Sequence, residues 1–385
     1  MPAAGSRARE WALVIQGPLV SPLPEKSWLR DLIDSRAAHG HPPEQVEDDC
    51  APAIEATLAN ASGVLDTVLL ATWNDPANAA RARSLVSRFG IELLLLDDPG
   101  PSSWVPGGPA DNRIRQIVSS VRGLEWIAER SNAAYAMRTR SDQIVDVASA
   151  IQYVAGAARA SRARAHQAGQ LDFVYVPALF VASPYSIDDF YFAGALPDLL
   201  RFFGAQWALR HRYFGSPSIH VDLVLKHLYA NLRVRLGARW FECYPHVTNP
   251  RDLDRAMVVG KLGRRYLDLW SAILRTSIRP LPRSVYESLV FRGVPYSLRF
   301  PRLFAAEWEA LGDDVASTWK DQAPGVFSSR RFGGLGMLLN YAPEAALAHH
   351  PGLIGEAARL VDRARAYATT LRRKTAWEPT LSAEP

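Results

Sequence analysis

The sequence predicts an α/β fold, a mostly parallel sheet covered by helices on both faces. Short apolar runs alternate with stretches of helical periodicity through roughly the first 140 residues. Each apolar run empties into a polar loop carrying Gly, Pro, Asn or Asp, the pattern of buried parallel strands joined by crossover helices. A length of 385 residues with 48% hydrophobic residues is enough to bury a full core and to add an appendage or second domain.

The first strand is Trp11 to Val20, WALVIQGPLV, broken at Gly17 and Pro18. Gln16 and Gly17 therefore stand at its carboxyl end, the edge where open α/β sheets bind ligands. A polar, proline-containing segment follows to about Asp49, then a helix over Ala51 to Ala61. Val64 to Trp73 reads as the second strand and ends at Asn74, Asp75 and Pro76. A helix from Ala77 to Phe89 leads to the third strand, Ile91 to Leu96, which ends in Asp97, Asp98, Pro99 and Gly100. The Gly/Pro-rich loop over 100–111 suits a cover for the ligand edge or a plain surface excursion.

Asp111 or Asn112 can cap the next helix, Arg113 to Arg130, whose Ile114, Ile117, Val118, Val121, Leu124 and Ile127 form one apolar stripe. Arg115 and Gln116 fall near its first turn. A cation there opposes the helix dipole by some tenths of a kcal/mol, a cost that a bound phosphate offsets; a solvated arginine is the plainer reading. The fourth strand runs through Ala134 to Asp146, AYAMRTRSDQIVD. Its Arg138, Arg140 and Asp142 alternate at a spacing of two, so they project to one side if the strand continues that far. Two guanidiniums and a carboxylate grip a phosphorylated ligand with or without a metal, or an Arg–Asp pair simply closes the strand.

Beyond Asp146 the sequence predicts a helix over Ala148 to Gln170 and a strand over Asp172 to Val181, bent at Pro177. In Ser183 to Phe203, Asp188 and Asp189 stand among Tyr185, Phe190, Tyr191 and Phe192. Paired acids beside aromatic rings suit a sugar, whose hydroxyls need acceptors and whose C–H faces stack on rings; paired acids also cap helices and fill loops. Ser216 to Leu232 reads as a helix with His220 and Asp222 in its first turn. Asp222 is there a general base for a substrate hydroxyl or a favourable N-terminal charge.

A net charge of +5 and a pI near 9.2 suit phosphate-bearing partners or an anionic membrane surface. Zinc-finger spacing and RNP-type aromatic motifs are absent from the sequence, which disfavours nucleic acid. Two cysteines, Cys50 and Cys243, make no disulfide framework and fit a reducing cytoplasm. The N-terminus lacks the apolar core of a signal peptide, and no window reaches the roughly 18 apolar residues of a spanning helix. Gly260 to Leu303 interleaves arginines with Trp270, Tyr286, Phe291 and Tyr296. That mixture suits the headgroup level of a membrane, or a helical appendage with its aromatics packed and its arginines in water.

VIQGPL (Val14 to Leu19), LLATWND (Leu69 to Asp75), LDDPG (Leu96 to Gly100), NRIRQIVSSVRGL (Asn112 to Leu124), MRTRSD (Met137 to Asp142) and DDFYFAG (Asp188 to Gly194) occur in an order that resembles the WavE-type lipopolysaccharide-synthesis family over about residues 12–205. The resemblance implies a GT-A-like (Rossmann-like) glycosyltransferase that moves a sugar from a nucleotide-sugar donor to a lipopolysaccharide, capsule or other surface-glycan acceptor, free or lipid-linked. The expected organisation is a transferase domain over 10–250, a helical, basic and aromatic region over 251–375, and a tail over 376–385. A cytoplasmic protein, peripheral on the inner face of the plasma membrane, fits that task.

By the same resemblance Gln16 and Gly17 lie against the nucleotide, Asn74, Asp75 and Asp97 or Asp98 border its base or ribose, and Asn112, Arg115 and Gln116 face the diphosphate or donor sugar. Arg140 to Asp142 takes the place of an acidic triplet that holds a divalent ion. Only Asp142 remains as a ligand for Mn²⁺ or Mg²⁺; alternatively Arg138 and Arg140 neutralise the diphosphate without metal. Asp222 is the first candidate for the base of an inverting displacement, with Asp188 and Asp189 as alternatives. The departure at Arg140 also admits a non-catalytic nucleotide-sugar-binding scaffold of an envelope-glycan assembly.

Overall fold

The computed structural model describes residues 10–22, 47–61, 63–65, 67–103, 110–164, 173–180, 185–210, 219–231, 270, 273–274, 276–296 and 302–310. Seven strands form its main sheet: β1 Trp11–Gln16, β2 Thr67–Trp73, β3 Glu92–Leu96, β4 Tyr135–Arg140, β5 Val174–Val176, β6 Phe192–Ala195 and β7 Ile278–Pro280. Their order across the sheet is β3-β2-β1-β4-β6-β5-β7. β1 to β4 run parallel, β6 runs antiparallel to β4 and β5, and β7 is parallel to β5. This is the expected Rossmann-like α/β architecture, and the reversal of strand order beside β1 puts a topological switch point between β1 and β4.

Helices α1 Ala51–Ala61, α2 Pro76–Phe89, α3 Arg113–Arg130, α4 Val147–Arg164, α5 Leu196–Ala208 and α6 Ile219–Asn231 flank the sheet. The period of two in β1 divides the core: Ala12 and Val14 pack with α3, α5 and α6, whereas Leu13 and Ile15 pack with α1, α2 and α4. Each Leu, Ile or Val so buried contributes about 1.5–3 kcal/mol. The polar loops after the strands also start the helices. Asp75 accepts from the Asn78 amide at 2.9 Å as the N-cap of α2, Pro76 opens its first turn, and Gly90 closes it at φ 65°.

The strand expected over 172–181 bends as Pro177 dictates. β5 stops at Val176, and Leu179–Phe180 pairs instead with Arg302–Leu303. Residues 278–310, expected in a helical appendage, instead carry β7, a hairpin of Val290–Phe291 with Val294–Pro295, and two short helices at Arg283–Glu287 and Ala305–Ala310. Trp270, Tyr286 and Phe291 are buried in the two core layers, and Arg292 and Arg302 are only 8% and 7% exposed. These five side chains therefore face the protein interior rather than a membrane, because each arginine finds a buried carboxylate there. The end of the helical region expected to 375, from 311 on, the tail over 376–385 and the loop tip at 104–109 lie outside the described residues. Among the described residues no helix is long and apolar enough to cross a membrane.

Candidate functional site

The carboxyl ends of β1, β2, β3 and β4 share one edge of the sheet, so Gln16–Gly17, Asn74–Asp75, Asp97–Asp98 and Arg140–Asp142 open onto the same side. At the switch point the turns after β1 and β4 are knitted together. The Ser141 amide donates to the Gln16 carbonyl at 2.8 Å, and the Gly17 amide to Ala71 at 3.1 Å. Gln16 is buried, and its Oε1 accepts from the Ser119 hydroxyl of α3. Gly17 has φ 125°, and a Cβ there would stand 2.6 Å from Ser141 Oγ, which itself donates to the Pro18 carbonyl at 2.7 Å. The close approach that requires glycine is thus to Ser141.

β4 ends at Arg140 and the chain turns, so Asp142 lies beyond the strand, and Arg138 and Arg140 engage different partners. Arg138 stays beneath α3: Nε donates to Ser120 Oγ at 2.9 Å, and a terminal nitrogen donates to the Asp189 carbonyl at 2.9 Å. Its guanidinium lies over the Phe192 and Phe203 rings, and burial pulls it below its ordinary basicity. It is a structural tie between β4 and the segment before β6. Arg140 turns the other way and holds Asp142 in a two-pronged ion pair at 2.9 and 2.8 Å, while Arg292 Nε reaches the same carboxylate at 3.1 Å. Burial alone would raise the Asp142 carboxyl, but Arg140 and Arg292 outweigh it and hold the group below its usual range. Asp142 thus meets two guanidiniums where the resemblance expects a divalent ion.

Because β6 runs antiparallel to β4, with Phe192 opposite Arg138, the residues just before β6 return to the same edge. This is how Asp188 and Asp189 reach the ends of the parallel strands. Asp188 accepts from the Tyr286 hydroxyl at 2.8 Å and Arg302 Nε at 2.9 Å. Asp189 is also buried, and its Oδ1 lies 3.8 Å from His220 Nδ1, which is 2.9 Å from the Ile187 carbonyl. A small crevice beside Asp189 is lined by Gln116, Arg138, Phe203, Ile219 and Leu223, bringing the first turns of α3 and α6 to it. Asp222, one turn into α6, is buried against Lys226, Oδ2 to Nζ 3.1 Å, and burial draws the lysine down to about 8 against the raising pull of Asp222. Four residues apart on a helix, the two form an ion pair in the protein interior.

The remaining expected residues form a separate group along the edge. Asn74 and Asp75 are exposed, and Asp75 is engaged as the α2 cap. Arg115 grips Asp98 with two nitrogens, one at 2.7 Å, and donates to Asn112 Oδ1 at 3.0 Å. This pairing, rather than a phosphate, offsets the cation in the first turn of α3. Desolvation would raise Asp98, and the bonds from Arg115 and the Gly100 amide more than reverse it.

Arg292, Arg302, Tyr286 and the Asp189–His220 contact are the parts of the site that sequence reasoning missed. Their signal was only composition: acids and arginines more than a hundred residues apart do not announce their pairing. The carboxylates of Asp188 and Asp189 and the His220 ring offer atoms within 4.8 Å of one another, a donor set that could hold a divalent ion. Asp188 would have to share that ion with the guanidinium of Arg302.

No protein-family model and no curated protein matches the chain. Among solved structures it is similar to HddC from Yersinia pseudotuberculosis complexed with GMP-PN, at 5% identity over 50% of this chain and 79% of that one, TM-score 0.25. It is also similar to mannose-1-phosphate geranyltransferase from Thermus thermophilus, at 16% identity over 56% and 67%, TM-score 0.24. Both likenesses are too slight to bear on activity.

Proposed function

We propose that the chain is a nucleotide-sugar-dependent glycosyltransferase whose base is Asp189 and whose acceptor is a surface glycan or its lipid-linked precursor. The observation that carries this reading is the difference among Asp142, Asp188, Asp189 and Asp222, the buried carboxylates among the candidate residues. Asp142, Asp188 and Asp222 each have a lysine or arginine nitrogen within 3.1 Å, whereas the described neighbour of the Asp189 carboxylate is the His220 ring at 3.8 Å, with Arg138 and Arg140 acting on it from further off. Asp189 also lines the crevice between β4, α3 and α6, at the switch-point edge. There it would take the acceptor hydroxyl proton as that oxygen bonds to the anomeric carbon and the carbon–oxygen bond to the diphosphate breaks. The resemblance over residues 12–205 supplies the nucleotide-sugar and surface-glycan parts of the reading.

Mn²⁺ or Mg²⁺, if used, would be held by Asp188, Asp189 and His220, where it would supply positive charge for the departing diphosphate. EDTA separates the two roles of Asp189: turnover persists if Asp189 is only a base. The test is donor hydrolysis by the purified chain across a panel of nucleotide sugars. Asp189→Asn should lower kcat about 100-fold or more with little change in KM, and unchanged turnover in that variant sinks the assignment. The scaffold reading draws on the double engagement of Asp142, and nucleotide binding with no turnover on any donor would favour it.

A further inference from the structure

We propose that a groove at the amino-terminal edge of the sheet, where β2 and β3 begin, binds a neutral saccharide apart from the transfer site. That this saccharide belongs to the glycan being extended rests on the glycosyltransferase reading above; the chemistry of the groove does not.

The groove has a volume of about 420 Å³, within the range of roughly 300–1,000 Å³ that small-molecule sites occupy. Thr67 and Glu92, the first residues of β2 and β3, both line it. β2 is seven residues long, so the groove and the carboxyl edge of the sheet lie about 20 Å apart. Ala61, Phe89 and Arg130, the last residues of α1, α2 and α3, line it too, and three helix C-termini therefore border one space. Their partial negative charge disfavours a phosphate or any other anion.

The side chains narrow the class further. Phe89 is 38% exposed and Trp126 is half-buried, so two aromatic rings of the lining are open to the C–H faces of a sugar. Arg130 holds its Cζ 5.5 Å from the Trp126 ring centroid. Glu92 and Arg130 are both exposed and line the same groove, yet neither is in an ion pair among the described residues. An acceptor and a donor that do not satisfy each other suit a ligand whose hydroxyls both give and take hydrogen bonds, and Thr67 adds a hydroxyl of its own. An apolar ligand would strip water from both charges and return nothing. A glycan held here stays on the enzyme while its end reacts at the other edge, which raises the effective concentration of that end.

The experiment is saturation-transfer-difference NMR on the full chain. The probes are the methyl glycosides of glucose, galactose, mannose, N-acetylglucosamine and rhamnose, with methyl glucuronide as an anionic counterpart. At least one neutral glycoside should receive saturation at its ring C–H protons. Glu92→Ala and Arg130→Ala should each weaken that binding about ten-fold or more. Ala59→Trp, an exposed helical position in the lining, removes no polar group and should weaken it as far by filling the groove. Asp189→Asn should leave it unchanged. Saturation of none of the neutral glycosides overturns the proposal, as does a signal that all three groove variants leave unchanged or that Asp189→Asn abolishes. Tighter binding of methyl glucuronide than of every neutral glycoside overturns the ligand class. If Ala59→Trp does not fold, the other two groove variants decide. Donor hydrolysis by the same proteins keeps the two readings apart: the groove variants should turn over as wild type does, and glycoside binding without wild-type turnover on any donor would remove the glycosyltransferase reading and leave the groove.

Discussion

At the residue scale Asp142 shows how far side-chain chemistry can be read from local sequence. MRTRSD announces cations and a carboxylate at a strand end, and the Arg140–Asp142 pair is as local as it looks. What the stretch does not contain is Arg292, so a carboxylate open to a metal and one closed between two guanidiniums read identically. The distinction has a pH signature. The folded Asp142 carboxyl is lowered by its arginines in spite of burial, so its contribution is complete above the unfolded value of about 3.9 and is lost as pH falls below it toward the folded value. Asp142→Asn should cost roughly 3–5 kcal/mol near pH 7 by leaving buried guanidiniums uncompensated. In urea unfolding the gap between wild type and variant should narrow from pH 7 to pH 3; a constant gap would mean that the carboxylate is not the group being stabilised.

At the element scale α3 carries the site and was the most legible helix, with both ends and the apolar stripe at their expected positions. Periodicity repeats over its 18 residues, so one face is specified many times over. Its glycine is legible only in the structure. A Cβ on Gly123 would lie 2.5 Å from Val14 Cγ1 and 3.6 Å from Ala71 Cβ, so the missing side chain lets α3 settle directly on β1 and β2. Val14 is stiff and buried, and the helix cannot move off without shifting Ser119 from Gln16 and Ser120 from Arg138. Gly123→Ala gains helix propensity of about 1 kcal/mol but overpacks the contact by about 1–3 kcal/mol, so the net change should be destabilising. A raised urea midpoint would show that the contact relaxes freely.

At the scale of the whole molecule the first four strands were visible because each is followed by its helix, and that alternation needs no knowledge of pairing. β5 falls within the strand read over Asp172 to Val181, but β6 and β7 have only four and three residues, and β7 finds β5 by chain returning from far away, which no local pattern encodes. For the same reason the arginines of 260–303 looked like a basic surface when two of them close the core. β7 pairs with β5, Arg292 reaches Asp142, and Arg302 reaches Asp188, so the described residues 278–296 and 302–310 pack with the sheet that holds β1 and are expected to unfold with it. The Arg302–Asp188 pair tests this. Both side chains are 2% exposed, so Arg302→Met should leave a buried carboxylate with Tyr286 as its described partner and cost about 3–5 kcal/mol. Replacing both, Arg302→Met with Asp188→Leu, removes the stranded charge along with its partner and should lose less than Arg302→Met alone. Urea unfolding of the full chain measures these two losses and that of Asp188→Leu alone. Strictly additive losses would show that 302 and 188 stabilise separate units, and the C-terminal segment would then be an appendage after all.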